Sequence, residues 1–168
     1  DEIKFAIDKK ILLINAESES EVKTIEKIAK KRNKKVNIGL RLNPNIDAKT
    51  LKKISTGKNE NKFGVSENNF LNILKKFRRS KNINIICLSV HIGSQITDYR
   101  PYLKTINVIE KIIKKTKYNF QFIDLGGGMG IKYNKNTKIL NYKKYNLIIK
   151  KFLKKNNVKI IFEPGRSI

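Results

Sequence analysis

The stretch Phe122-Ile-Asp-Leu-Gly-Gly-Gly-Met-Gly130 ends an apolar run, Phe120 to Leu125, in three consecutive glycines with a fourth at Gly130. Glycine loses more backbone entropy on folding than any other residue, so three in a row are costly inside a packed domain. Two uses would justify them. One is a tight turn after a strand; the other is a cradle of backbone N–H groups at a strand end, suited to phosphate. The glycines alone serve both readings equally. The dinucleotide fingerprint does not fit, because Ile131 stands where its sixth-place glycine belongs. A P-loop does not fit either, since Ile131 and Lys132 follow Gly130 in place of Lys and Ser or Thr.

Two further segments carry groups able to do chemistry. His91, the only histidine, opens His91-Ile-Gly-Ser-Gln95 at the end of another apolar run. An imidazole there could stack on a flat ring or move a proton. Glu163-Pro-Gly-Arg166 follows a third apolar run. Taken alone it reads as a type II turn. At a strand end it also offers a carboxylate, backbone donors and a guanidinium for a phosphate or carboxylate. A phosphate cradle, an imidazole, a carboxylate and a guanidinium together suit a flat, phosphorylated heteroaromatic with a basic ring nitrogen. Pyridoxal 5'-phosphate is such a molecule.

The elements that must hold these groups alternate along the chain. Ile11 to Asn15 is a short apolar run; Ser18 and Glu21 form a capping-box signal before a helix carrying Val22, Ile25, Ile28 and Ala29. Val36 to Leu42 predicts a strand, and Ser66 caps a helix with Phe70, Leu71, Ile73, Leu74 and Phe77. A strand is expected over Ile83 to Ile92, then a helix starting at Thr97 or Asp98 with Pro101 in its first turn. The glycine strand, a helix over Tyr142 to Lys155 and a strand over Val158 to Phe162 complete the series. Alternating strands and helices imply a parallel sheet, either open and doubly wound or closed as a (β/α)8 barrel. Arg41 and Asn43, His91, the glycines from Gly126, and Glu163 all fall at C-terminal ends of strands, where a barrel gathers its site. A full barrel takes about 250 residues, about 31 per unit, so this chain holds roughly five units of eight. The expected fold class is therefore α/β, a partial (β/α)8 TIM barrel.

Composition narrows the partners. The chain has 168 residues, 39% of them hydrophobic, enough for one domain with a real core. Its net charge of +24 would suit nucleic acid. The lysines, however, are scattered over every helix along with abundant Asn and Ile, so the expectation is a solvated lysine-rich surface and no specific nucleic-acid partner. Cys87 stands alone in an apolar run and reads as a small core residue, with no cluster at metal-ligand spacing. No apolar run reaches membrane-spanning length, so no membrane partner is expected. The only Met is Met129, and Asp1-Glu2 reads like the middle of a helix. The expectation is an internal piece of a longer, cytoplasmic polypeptide, with targeting left open.

His91-Ile-Gly-Ser-Gln95, Asp124-Leu-Gly-Gly-Gly128 and Glu163-Pro-Gly-Arg-Ser167 together resemble the pyridoxal-phosphate amino-acid decarboxylases built on an alanine-racemase-type barrel. Arg41-Leu-Asn-Pro44 and the segment Ile54 to Gly64 resemble the branch that acts on diaminopimelate. The ornithine and arginine branch usually has Phe-Pro-Gly after the triple glycine, where Met129-Gly130-Ile131 stands here. The resemblance spans the chain and implies a partial pyridoxal-phosphate-binding barrel domain over residues 1–168. It implies that His91 stacks on the cofactor ring and that Glu163 pairs with its ring nitrogen. Gly126, Gly127, Gly128, Ser94, Pro164, Gly165 and Arg166 would surround the phosphate, and no metal is required. Arg166 would also reach a carboxylate of the amino-acid substrate, and the loop from Ser55 to Gly64 would lie over the site. The family's Schiff-base lysine, its C-terminal β domain and its homodimer partner are expected outside these residues. Two other readings stay open: a sibling decarboxylase of another basic amino acid, and a non-enzymatic module binding pyridoxal phosphate or nucleic acid.

Overall fold

The computed structural model describes residues 1–48, 57, 63–135, 138–166 and 168. Most of the segment from Ile54 to Gly64, and Ser167, lie outside the described residues. The elements run α1 (Glu2–Asp8), β1 (Ile14–Ala16), α2 (Glu19–Lys31), β2 (Val36–Arg41), α3 (Glu67–Phe77), β3 (Ile83–Ser89), α4 (Arg100–Thr116), β4 (Phe122–Asp124), α5 (Tyr142–Lys155) and β5 (Lys159–Ile161).

Local chemistry sets most boundaries. Ser18 accepts from the Glu21 N–H at 3.2 Å, and the Glu21 carboxylate accepts from the Glu17 N–H at 2.7 Å, so donors at the start of α2 are satisfied in both directions. Ser66 and Asn141 accept from Asn69 and Lys144 at the starts of α3 and α5. α4 differs from the expected start at Thr97 or Asp98. Tyr99 holds the cap position with helical φ and ψ, and Asp98 serves the turn from one residue upstream, accepting from the Arg100 N–H at 2.9 Å. The strands are shorter than the apolar runs suggest: β3 ends at Ser89, because the chain beyond turns into the loop that carries His91.

The five strands are parallel and lie in the order β1-β2-β3-β4-β5. A doubly wound sheet reverses its strand order at a switch point; this one never does, as in one side of a barrel. The register divides the side chains into two faces, since side chains alternate along a strand. Ile14, Ile38, Ile85, Leu88 and Ile123 pack with the helices in one apolar core. Asn15, Gly39, Arg41, Cys87, Ser89 and Asp124 share the opposite face. A register shift between Ile38 and Gly39 brings Asn84 and Cys87 onto that same inner face although they are three residues apart.

One contact shows how strongly the sheet curls. Asn15 Nδ2 donates to Asp124 Oδ2 at 2.9 Å, although β1 and β4 are three places apart in the sheet. Flat strands spaced by about 4.8 Å would put them roughly 14 Å apart, beyond the reach of these short side chains. The inner face is therefore concave, and the fold is a partial barrel. Replacing Asn15 by Ala removes one donor from a buried carboxylate, and the expected loss of stability is about 1.5–3 kcal/mol. Urea unfolding measures it; an unchanged midpoint would mean that the bond contributes nothing to the curl.

Candidate active site

The C-terminal ends of the strands bring the sequence-predicted groups together on one rim. His91 lies two residues beyond β3, the glycines follow β4, and Glu163 lies two residues beyond β5. Three loops meet there at backbone contact. A Cβ on Gly126 would stand 2.6 Å from His91 Nδ1 and 2.7 Å from the Val90 carbonyl oxygen. A Cβ on Gly127 would collide with the Glu163 carbonyl, and one on Gly128 with the Gly93 carbonyl. Gly126 and Gly128 also have φ of 64° and 82°, which L side chains rarely adopt. The triple glycine is thus demanded first by the close approach of the β3, β4 and β5 loops.

The same packing decides which N–H groups can meet a ligand. Gly126 N–H donates to Asp124 Oδ1 at 2.8 Å and Gly127 N–H to His91 Nδ1 at 3.3 Å. The Gly128 N–H has no partner among the described residues. Open space surrounds Gly165, where an added Cβ would meet nothing within 4 Å. Arg166 Nη1 donates to the Ser94 hydroxyl, joining the β5 loop to the His91 loop. Pro164 is exposed between them. From beneath, the buried Tyr102 hydroxyl donates to the Gly127 carbonyl at 3.1 Å and anchors the glycine loop to α4.

Electrostatics prepares two of these groups. His91 is half-buried, and that desolvation, with Arg41 nearby, lowers its pKa from 6.5. With Nδ1 accepting from Gly127, the neutral ring carries its hydrogen on Nε2. Glu163 is exposed as a residue, yet partial desolvation of its carboxyl raises its pKa; Asp124 adds to this by charge and by a carboxyl–carboxyl hydrogen bond, while Arg41 opposes it. Arg41 pairs with Glu17 Oε1 at 2.6 Å and lies 5.4 Å from the centre of the Phe63 ring. Cys87 is buried beside Asp124, with its thiol pushed up to about 12 by burial, so it is an inert core thiol.

Asn15 and Ser89 join Asp124 in a part of the site that the motifs did not announce. Asp124 is buried and accepts from Asn15 at 2.9 Å, from Ser89 Oγ at 3.2 Å and from Gly126 N–H. The signal for Asp124 was its place at the end of an apolar strand just before the glycines. Asn15 carries no such signal. Among the described residues, no group of three or more His, Cys, Asp or Glu side chains is placed to hold a metal ion, and no helix is long and apolar enough to cross a membrane.

These residues fit pyridoxal phosphate. The Gly128 N–H lacks a partner among the described residues, Gly165 has an open flank, and Arg166 is hydrogen-bonded to Ser94, a donor set that suits a phosphate; His91 and Glu163 lie on the same rim.

Known proteins place the chain. The model of the pyridoxal-dependent decarboxylase family, pyridoxal binding domain, matches residues 1–168. The diaminopimelate decarboxylase of Helicobacter pylori is 41% identical over 170 residues, covering 99% of this chain and 42% of that protein. The enzyme of the same name from Aquifex aeolicus is 36% identical, covering 99% of this chain and 40% of its own length. The crystal structure of the Helicobacter pylori enzyme complexed with L-lysine superposes with a TM-score of 0.93 at 39% identity, over 99% of this chain and 43% of that one. The chain thus spans about two-fifths of the length of the relatives it matches. The strand-end rim, the order of its motifs and the match over the whole chain agree: the chain belongs to the pyridoxal-dependent decarboxylases, in their pyridoxal binding domain.

Proposed function

We propose that the chain is the cofactor-binding part of a diaminopimelate decarboxylase, which removes carbon dioxide from meso-2,6-diaminopimelate to give L-lysine. The observation that carries the reading is the convergence of His91, the Gly128 N–H, Glu163 and Arg166 on one concave rim. Relatives of that name at 36–41% identity support the choice of branch. The protein is further proposed to act in the cytoplasm as a homodimer. The lysine that would hold the cofactor aldehyde is assigned to the part of the relatives' length that this chain does not match.

Pyridoxal phosphate, when bound, supplies the electron sink for the charge left behind as the carboxylate departs. The rest of the work falls to the side chains. Of the N–H groups of Gly126, Gly127 and Gly128, that of Gly128 is the one without a partner among the described residues and would meet the phosphate, with Ser94, Pro164, Gly165 and Arg166 on its other side. Arg166 would also take a carboxylate of the substrate. His91 would offer the face of a neutral ring to the cofactor, stacking without adding a positive charge to the site. Glu163 would pair with the ring nitrogen, where its negative form would favour a proton on that nitrogen.

Two measurements check these roles. Glu163→Gln keeps the size of the side chain and removes its charge, so turnover in the full-length protein should fall roughly 100-fold, about 2.7 kcal/mol at 1.36 kcal/mol per tenfold. Cofactor retention, followed by visible absorbance, should survive. A Gln variant that keeps its cofactor and releases carbon dioxide at the parent rate would reduce Glu163 to a turn residue. For His91, the ring proton resonance should titrate with a midpoint below 6.5 in the folded protein. The folded pKa is then below the unfolded value, so the stabilising contribution is present above pH 6.5 and is lost as pH falls through the folded midpoint. A His91→Gln variant whose stability shows the same slope in that window would contradict the assignment.

A further inference from the structure

The peptide groups that follow Gly126 are held in different ways. The Gly126–Gly127 peptide is fixed at both ends: its carbonyl accepts from Glu163 N–H at 3.0 Å, and its N–H donates to His91 Nδ1 at 3.3 Å. The Gly128–Met129 peptide is tied by its carbonyl, which accepts from Ile96 N–H at 2.8 Å. Between them, the Gly127–Gly128 peptide has one bond among the described residues, from the Tyr102 hydroxyl to the Gly127 carbonyl at 3.1 Å. Glycine stands on both sides of that peptide and tolerates either sign of φ, so no Cβ resists its rotation. The backbone alone leaves its direction open.

Tyr102 is equipped to settle that direction. It stands beside Pro101 in the first turn of α4 and is 2% exposed, with its ring centre 4.6 Å from that of the buried Tyr145 of α5. Burial pushes the pKa of its phenol up, so the hydroxyl keeps its proton and remains a donor. A peptide group is planar and trans, so its C=O and N–H point in opposite directions. Holding the Gly127 carbonyl on Tyr102 therefore turns the Gly128 N–H away from that hydroxyl. This N–H is the one in the triple glycine without a partner among the described residues. Ser94, which accepts from Arg166, is its neighbour: the Ser94 Cα lies 3.3 Å from where a Cβ on Gly128 would stand.

We propose that Tyr102 is a positioning residue for cofactor binding: through the Gly127 carbonyl it sets the direction of the Gly128 N–H, and so the site's hold on a phosphate. This rests on the functional reading above for the identity of the ligand. Buried beneath the loop, Tyr102 acts through one peptide plane. Its influence is confined to the phosphate end, because the bonds of His91 and Glu163 to the loop go to the neighbouring Gly126–Gly127 peptide.

The test titrates cofactor-free, full-length protein with pyridoxal phosphate and with pyridoxal, which has the same ring and aldehyde but no phosphate, following visible absorbance. Tyr102→Phe keeps the ring and its packing on Tyr145 and removes only the hydroxyl. It should weaken binding of pyridoxal phosphate about tenfold, the scale of one hydrogen bond to a charged group. Its affinity for pyridoxal, and turnover at saturating cofactor, should match the parent. Tyr145→Phe is the matched control, because it removes a neighbouring buried hydroxyl that has no partner among the described residues. Both of its affinities should stay at the parent values. A merely structural role for Tyr102 would weaken both ligands alike. Equal losses for the two ligands, no loss for either, or the same selective loss in Tyr145→Phe would overturn the proposal. A parent protein that binds both ligands equally would remove the functional reading together with the proposal. A selective parent with an unaffected Tyr102→Phe variant would remove the proposal alone.

Discussion

A hydrogen bond from Asn15 to Asp124 joins strands that are three places apart, and the concavity of the sheet follows from it. Asp124 is the hub of that constraint. It takes donors from β1, from the end of β3 and from its own loop, and it raises the pKa of Glu163 beyond β5. Burying a carboxylate is costly unless hydrogen bonds satisfy it. Here each satisfying bond also draws one strand end towards the centre. The energetic requirement of one buried charge and the geometric requirement of a curved rim are met by the same contacts.

The glycines extend the same logic to the backbone. Each of the three is roughly 0.5–1 kcal/mol worse than Ala where the conformation is ordinary. At this rim the conformation is not ordinary, and the Cβ positions are filled by His91, Glu163 and Gly93. Tyr102 then fixes the loop from the helix layer. The result is a rim whose loops interlock, with the Gly128 N–H left without a partner among the described residues. A site built this way is positioned by packing before any cofactor contributes to it.

Much of this architecture is legible in the chain. The alternation of apolar runs and amphipathic segments gives all five strands, and Ser18 and Ser66 mark helix starts because capping chemistry is local. Strand-end placement of Arg41, His91, Gly126 and Glu163 favours a barrel, and the unreversed strand order agrees. The polar inner face is harder to read. Asn15, Ser89 and Asp124 are single polar residues in short apolar strands, and Asn15 lies 109 residues from its partner. Only the register, including the shift at Gly39, puts them together. The start of α4 was misplaced for a related reason: Asp98 satisfies the first turn from outside the cap position, a pattern that a capping rule tied to spacing does not distinguish. The triple glycine had two sequence readings, turn and cradle, and the structure shows a third demand, close packing of three backbones.

The central claim is that this rim, held by Asp124 and the glycines, is a pyridoxal phosphate site. Mapping amide resonances during a titration of the full-length protein with pyridoxal phosphate, with inorganic phosphate as competitor, tests it most directly. The account predicts saturable shifts at Gly126, Gly127, Gly128, Ser94, Gly165 and Arg166, reversed in part by phosphate, with the helix surfaces unchanged. Shifts spread over the lysines of α4 and α5, growing without saturation and leaving Gly128 in place, would contradict it.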